Sequence, residues 1–185
     1  MTATEPAISV VPANQASWED LQTVLGTRGQ AASCQCQRYK LRPREFFAGF
    51  PAEERAGRLR EQTDCGQPES DTTSGLVAYL DGLVRNNRVP WAGRTEDKTD
   101  DSVWAVTCFV TRAGFRKRGV SKALARAAVD FAGERGARAI EGYPMTTKNV
   151  ISEELHVGTE GVFADAGFGE VSRPTLRRVV MRVDF

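Results

Sequence analysis

The chain has 185 residues, 41% of them hydrophobic, and its 25 Lys and Arg against 24 Asp and Glu leave a formal net charge of +1. That length and apolar content suit one globular domain over residues 1–185, and two cores would be a squeeze. The near-balanced charge argues against a general polyanion binder, so cationic chemistry has to be local, and no apolar run is long enough to span a bilayer.

The opening MTATEPAISVVPANQ carries no basic region followed by a long apolar stretch, so the expectation is a cytoplasmic protein without a signal peptide. Ile8 to Val11 reads as a short first strand. Ser17 is placed to cap a helix through Trp18, Leu21 and Leu25 that Gly26 ends. CQCQRYKL alternates and reads as extended. Its Cys34 and Cys36, like Cys65 and Cys108, are expected as reduced thiols. No second Cys/His pair follows the C-x-C at zinc-site spacing, so no metal site is expected. Residues 43–62 read as a helix with Phe46, Phe47 and Phe50 on one side. A polar loop covers 63–75, and LVAYL from Leu76 is a strand ending at the Asp81–Gly82 turn signal. The stretch 83–101 leaves room for a second hairpin strand and a charged loop.

VWAVTCFV, residues 103–110, is apolar on both faces and suits a central buried strand. Val120, Ala123, Leu124, Ala127 and Phe131 recur at helical spacing as far as Gly136. ARAIEGY is a further strand. Residues 159–166 form a short helix, with Thr159 as its cap and Gly167 at its end. FGEVS and RRVVMRVDF close the chain as strands, and in the last of them Val179, Met181, Val183 and Phe185 share a face.

FRKRGVSKAL, residues 115–124, gathers Arg116, Lys117 and Arg118 before Gly119 at the start of a helix. A helix start offers unpaired N–H groups and a partial positive charge, and a glycine lets a bulky anion approach the backbone. Charge-assisted bonds from Arg and Lys strengthen such a site. The loop therefore reads either as a phosphate or pyrophosphate cradle or as a solvated basic turn. The G-x-x-x-x-G-K-[ST] and G-x-G-x-x-G patterns are absent.

Arg116-x-x-Gly119-x-Ser121, after a strand ending at Val110 and before an amphipathic helix, resembles motif A of the GNAT superfamily of N-acetyltransferases. Ser121 stands where that motif has Gly or Ala. Gly161 to Phe168 resembles the superfamily's late helix and terminal Gly-Phe. CQCQRYKLRPREF, SGLVAYLDG, SVWAVTCFVTRAGFRKRGVSKAL and ARAIEGYP are together similar to a subgroup of small bacterial GNAT proteins of unassigned substrate. The departure is LVRNNRVPWAGR after Asp81–Gly82, where the subgroup continues with a V-G-W-type strand.

The resemblance implies an α/β (α+β) fold: a mixed, mostly antiparallel central sheet flanked by helices, with a splayed fourth and fifth strand pair. It implies acetyl-coenzyme A as cosubstrate. The pantetheine arm would lie along Cys108, Phe109 and Val110, the pyrophosphate on Arg116, Lys117, Arg118, Gly119, Val120 and Ser121, and Phe163 at the late helix. The acceptor would be a primary amine of a small molecule or a protein, attacking the thioester directly. Neither nucleic acid nor membrane is expected as a partner, and a homodimer stays open. The other reading is a non-catalytic acyl-CoA-binding or sensing domain on the same scaffold.

An alkyl amine with a pKa near 10.4 is neutral in only roughly one molecule in 2,000 at pH 7, which costs about 4.6 kcal/mol. A positioned base is therefore useful. Glu141 lies in an apolar strand where desolvation would raise its pKa, unless it points to solvent. The superfamily's tyrosine acid position is Phe163 here, which leaves water, Tyr143 or His156, the one histidine, to handle protons. Cys108 reads as a buried packing residue or a nucleophile beside the thioester. The acidic residues at 96, 97, 100 and 101 offer either a place for a cationic amine or a solvated loop.

Overall fold

The computed structural model describes residues 10–73, 83–84, 91, 93–111, 113–146, 150 and 154–185. Three helices come first: α1 (Trp18–Leu25), α2 (Gly29–Cys34) and α3 (Ala52–Thr63). Then follow β1 (Leu83–Val84), β2 (Val103–Val106), α4 (Val120–Glu134), β3 (Ala139–Gly142), α5 (Glu160–Ala164), β4 (Gly169–Thr175) and β5 (Arg178–Asp184). Among the described residues these strands form one five-stranded sheet in the order β1-β2-β3-β5-β4. Only the β2–β3 pair is parallel, so the sheet is mixed and mostly antiparallel. No helix among the described residues is long and apolar enough to cross a membrane.

The sheet has two distinct faces because side chains alternate along each strand. Val106, Ile140, Val179 and Met181 point to the face that α4 covers, with Trp104 and Val183 packed beside them. On α4, Leu124, Ala125, Ala128, Phe131 and Ala132 are buried. That stripe is turned by one position from the expected one, which used Ala123 and Ala127. Val180, Ala105 and Tyr143 point the other way and pack with Trp91. Trp91, Arg94 and Glu96 cover this second face, the last two through a charged cluster. Arg94 donates to both oxygens of Glu141, at 2.9 and 2.5 Å, and Arg182 donates to Glu141 at 3.2 Å. Glu96 accepts from both arginines, each at 3.0 Å.

The first helices pack around a second core of Leu21, Leu25, Cys36 and Leu59. The Ser17 hydroxyl accepts from the Asp20 N–H and caps α1, and Gly26 ends it at φ 74°, as its sequence implies. Arg55 is buried on α3, where it donates to the carbonyls of Ser33, Phe47 and Phe50 and lies over the Phe47 ring. Val110 joins this core from the far end of the β2 segment.

Several expected elements differ. Cys34 ends α2, and Gln35 and Cys36 are left-handed at φ 47° and 56°, a turn that no extended CQCQRYKL contains. The long helix over 43–62 starts only at Ala52, because Pro51 disfavours helical geometry at Phe50, which is extended at φ −116° and ψ 128°. The expected strand at Ile8–Val11 lies partly outside the described residues, and Val10 and Val11 are irregular. LVAYL and the Asp81–Gly82 turn lie outside the described residues. Leu83–Val84 supplies a short hairpin partner to β2. The expected buried strand 103–110 pairs only through Val106. Thr159 precedes α5 without a side-chain capping bond.

Candidate active site

Strand divergence makes the site. β2 and β3 pair from Val103–Ala139 to Val106–Gly142 and no further. The chain then leaves as Thr107–Val110, and the Phe109 N–H donates to the His156 carbonyl at 2.5 Å. On the other side, Met145 bridges to Thr159 and to Arg178. The resulting splay is the one the resemblance implies.

Aromatic packing holds the split open. Phe163 is fully buried, with ring centroids 5.6 Å from Phe109 and 5.0 Å from Phe168. Gly142 and Gly158 leave space for these rings: a Cβ at Gly142 would overlap Phe163, and one at Gly158 would press on Phe109 and Phe163. Phe163, expected beside the cosubstrate, is therefore core and does not line the cleft. A phenyl ring without a polar handle belongs in such a place.

The cleft at the split is open and has a volume of about 1460 Å³. Small-molecule pockets usually span roughly 300–1,000 Å³, so this one has room for a long cosubstrate and an acceptor. One end is the basic loop. Arg116, Lys117, Gly119, Val120, Ser121 and Lys122 line it. Lys117 and Gly119 are left-handed, at φ 61° and 78°, in the kind of turn that directs backbone N–H groups into an anion-binding hollow. No side chain caps the amino end of α4, and no atom lies within 4 Å of where a Gly119 Cβ would stand. Lys122 pairs with Asp165, whose carboxyl it holds below the usual carboxylate range. Arg118, expected on the anion, stands outside the lining, 5.7 Å from the Phe115 ring.

The other end gathers residues from four separate segments. Cys108 and Phe109 come from the β2 exit, Tyr39 from the turn after α2, His156 from the turn before α5 and Arg178 from the start of β5. The Tyr39 hydroxyl lies 3.1 Å from His156 Nε2, and the two rings are 5.9 Å apart. Burial pushes the Tyr39 hydroxyl pKa up, Arg178 and Arg38 pull it down, and the rise prevails. Tyr39 thus holds its proton throughout the neutral range.

Of the expected proton-handling residues, His156 lines this cleft, whereas Glu141 and Tyr143 do not. Glu141 is fully buried on the face covered by Trp91 and Arg94, with Arg94 and Arg182 on its oxygens. The Tyr143 hydroxyl donates to Glu141 at 2.7 Å. Glu141 is therefore an ion-paired buried carboxylate, where the sequence suggested an isolated one in an apolar strand. Tyr39 had no signal in the sequence beyond its place in the CQCQRYKLRPREF stretch, because its partners are distant in the chain. The acidic stretch is also engaged elsewhere. Glu96 binds Arg94 and Arg182, Asp97 binds Thr99, and Asp100 accepts from Ser102 and Arg138. Among the described residues no group of three or more His, Cys, Asp or Glu side chains could hold a metal ion.

Comparison with known families bears on this geometry. The model of the Acetyltransferase (GNAT) family matches residues 38–157, which include Tyr39, the splayed strand, the basic loop and His156. The chain belongs to the GNAT family. Three solved structures are similar to it. A Bacillus subtilis acetyltransferase in complex with CoA is 16% identical at a TM-score of 0.34, over 47% of this chain and 64% of that one. A GCN5-related N-acetyltransferase from Kribbella flavida is 23% identical at 0.35, over 52% and 56%. The GNAT domain of S. lividans PAT is 19% identical at 0.49, over 95% and 89%. The match thus spans less than two thirds of the first two relatives' length. No curated protein sequence matches.

Proposed function

We propose that this GNAT protein is an acetyl-CoA-dependent N-acetyltransferase acting on a primary amine. The observation that carries the reading is one cleft lined both by the basic glycine loop and by the Tyr39–His156 pair. The residues present fit a coenzyme A group. Arg116, Lys117 and the backbone at Gly119–Ser121 would hold its pyrophosphate, and the Cys108–Val110 segment would run beside its arm. When bound, acetyl-CoA supplies an acetyl group activated as a thioester.

The chain's own residues then manage two protons. The acceptor amine attacks the carbonyl, a C–N bond forms and the C–S bond breaks. His156 Nε2 takes the proton that the amine loses. The Tyr39 hydroxyl gives its proton to the departing thiolate and recovers one from His156 along their hydrogen bond. The sum is amide plus free thiol, with no net proton left on the protein. Tyr39 thereby takes the role that Phe163, buried in the core, has no group to perform.

Calorimetric titration with acetyl-CoA, wild type beside Gly119→Glu and Gly119→Asn, tests the reading. One-site binding to the wild type is expected, weakened in Gly119→Asn, whose side chain tolerates the left-handed backbone, and lost in Gly119→Glu. No binding to the wild type would sink the proposal. Binding without thiol release toward any amine would favour an acyl-CoA-binding or sensing domain instead.

A further inference from the structure

The Tyr39–His156 end of the cleft carries cationic charge that acetyl transfer itself does not use. Arg38, Arg178 and Glu154 line it alongside Tyr39 and His156. Glu154 is already engaged, with both oxygens 3.0 Å from Arg177. Arg38 is exposed and lies 5.1 Å from the Phe47 ring centroid. Arg178 is half-buried and donates to the Tyr143 carbonyl at 3.1 Å. Among the described residues neither guanidinium has a carboxylate partner. Both line the same cleft as Tyr39 and His156, and Arg38 is the chain neighbour of Tyr39. The acidic residues at 96, 97 and 100, which would draw a cationic acceptor, are held in pairs outside the cleft.

A half-buried guanidinium bonded to one carbonyl keeps donors free for a ligand, and carboxylate and phosphate match its fork. A polyamine would instead meet two like charges. We infer that the acceptor amine also bears an anionic group, a carboxylate or a phosphate, which Arg38 and Arg178 hold while the amine faces His156. This rests on the acetyltransferase reading and names the substrate class of the same site. The anion sets the distance of the amine from the thioester, and its charge assists binding without competing with the loop at 116–122, which serves the cosubstrate.

Thiol release from acetyl-CoA is measured with L-amino acids, their amides, 2-aminoethyl phosphate and putrescine. The anionic amines are expected to show a kcat/KM at least tenfold above the amides and putrescine. The amino acids and the aminoethyl phosphate separate carboxylate from phosphate. Arg38→Gln and Arg178→Gln are each expected to lower that kcat/KM tenfold or more, chiefly through KM, and to lower the kcat/KM of the amides by a clearly smaller factor. Arg38→Gln changes an exposed side chain, so its melting temperature should match the wild type. Equal or better use of amides or putrescine overturns the inference. If no compound releases thiol, the same panel is titrated calorimetrically into the protein loaded with coenzyme A. Anion-dependent binding lost in the Arg variants supports the inference, and binding without anion preference, or none, overturns it. Failure of acetyl-CoA to bind at all is a separate result that removes the acetyltransferase reading and this inference with it.

Discussion

The two ends of the cleft are built in opposite ways. The loop end comes from consecutive residues, Arg116 to Lys122, and its conformation is local: left-handed Lys117 and Gly119, then an uncapped helix start. The Tyr39–His156 end comes from segments 117 residues apart in the chain, together with Cys108 and Arg178. One end is a motif and the other is an assembly. Evolution can hold the first by fixing a few adjacent residues, whereas the second depends on how the α1–α3 core meets the sheet through Val110.

Four changes test that contrast, from the largest expected effect down. Gly119→Glu should weaken acetyl-CoA binding about 1,000-fold, or about 4.1 kcal/mol, with the Tyr39–His156 pair untouched; calorimetry reads it. Glu141→Gln should cost about 3 kcal/mol in stability, because Arg94 and Arg182, each with a side chain only 5% exposed, lose a buried countercharge. Denaturant melts measure this, and thiol release per folded molecule should hold near wild type. A kcat collapse in a fully folded Glu141→Gln would return the base role to Glu141.

Tyr39→Phe should lower kcat about 100-fold while acetyl-CoA still binds normally. Its pKa is raised, so the proton needed for the thiolate is present at neutral pH and lost only as pH rises through that elevated value. The alkaline limb of the wild-type kcat profile should therefore lie above the ordinary tyrosine range, and Tyr39→Phe should abolish it. Lys117→Gln should weaken acetyl-CoA only about fivefold, and added salt should shrink the difference, since an exposed cation is screened. An unscreened loss would mean that the left-handed backbone at Lys117 matters more than its charge.

The sequence by itself determined the mixed sheet, α4 with its basic loop and the final β4–β5 hairpin. Each follows from short-range rules: alternation along strands, helical spacing, and glycines at Gly119, Gly136 and Gly167 where φ is positive. Residues 43–62 show the limit of that reading, because the aromatic spacing suggested a helix that Pro51 does not allow at Phe50. Ion pairing was equally hidden. Glu141 looked like a lone carboxylate in an apolar strand until residues 94–96 and Arg182 closed over it. Tertiary structure alone decided which tyrosine stands by His156, that Phe163 is core, and that Arg38 and Arg178 line the same cleft as that pair. The physical reason is range. Backbone geometry is set by neighbours in sequence, whereas desolvation, ion pairing and proton transfer act through space between groups that only packing brings together.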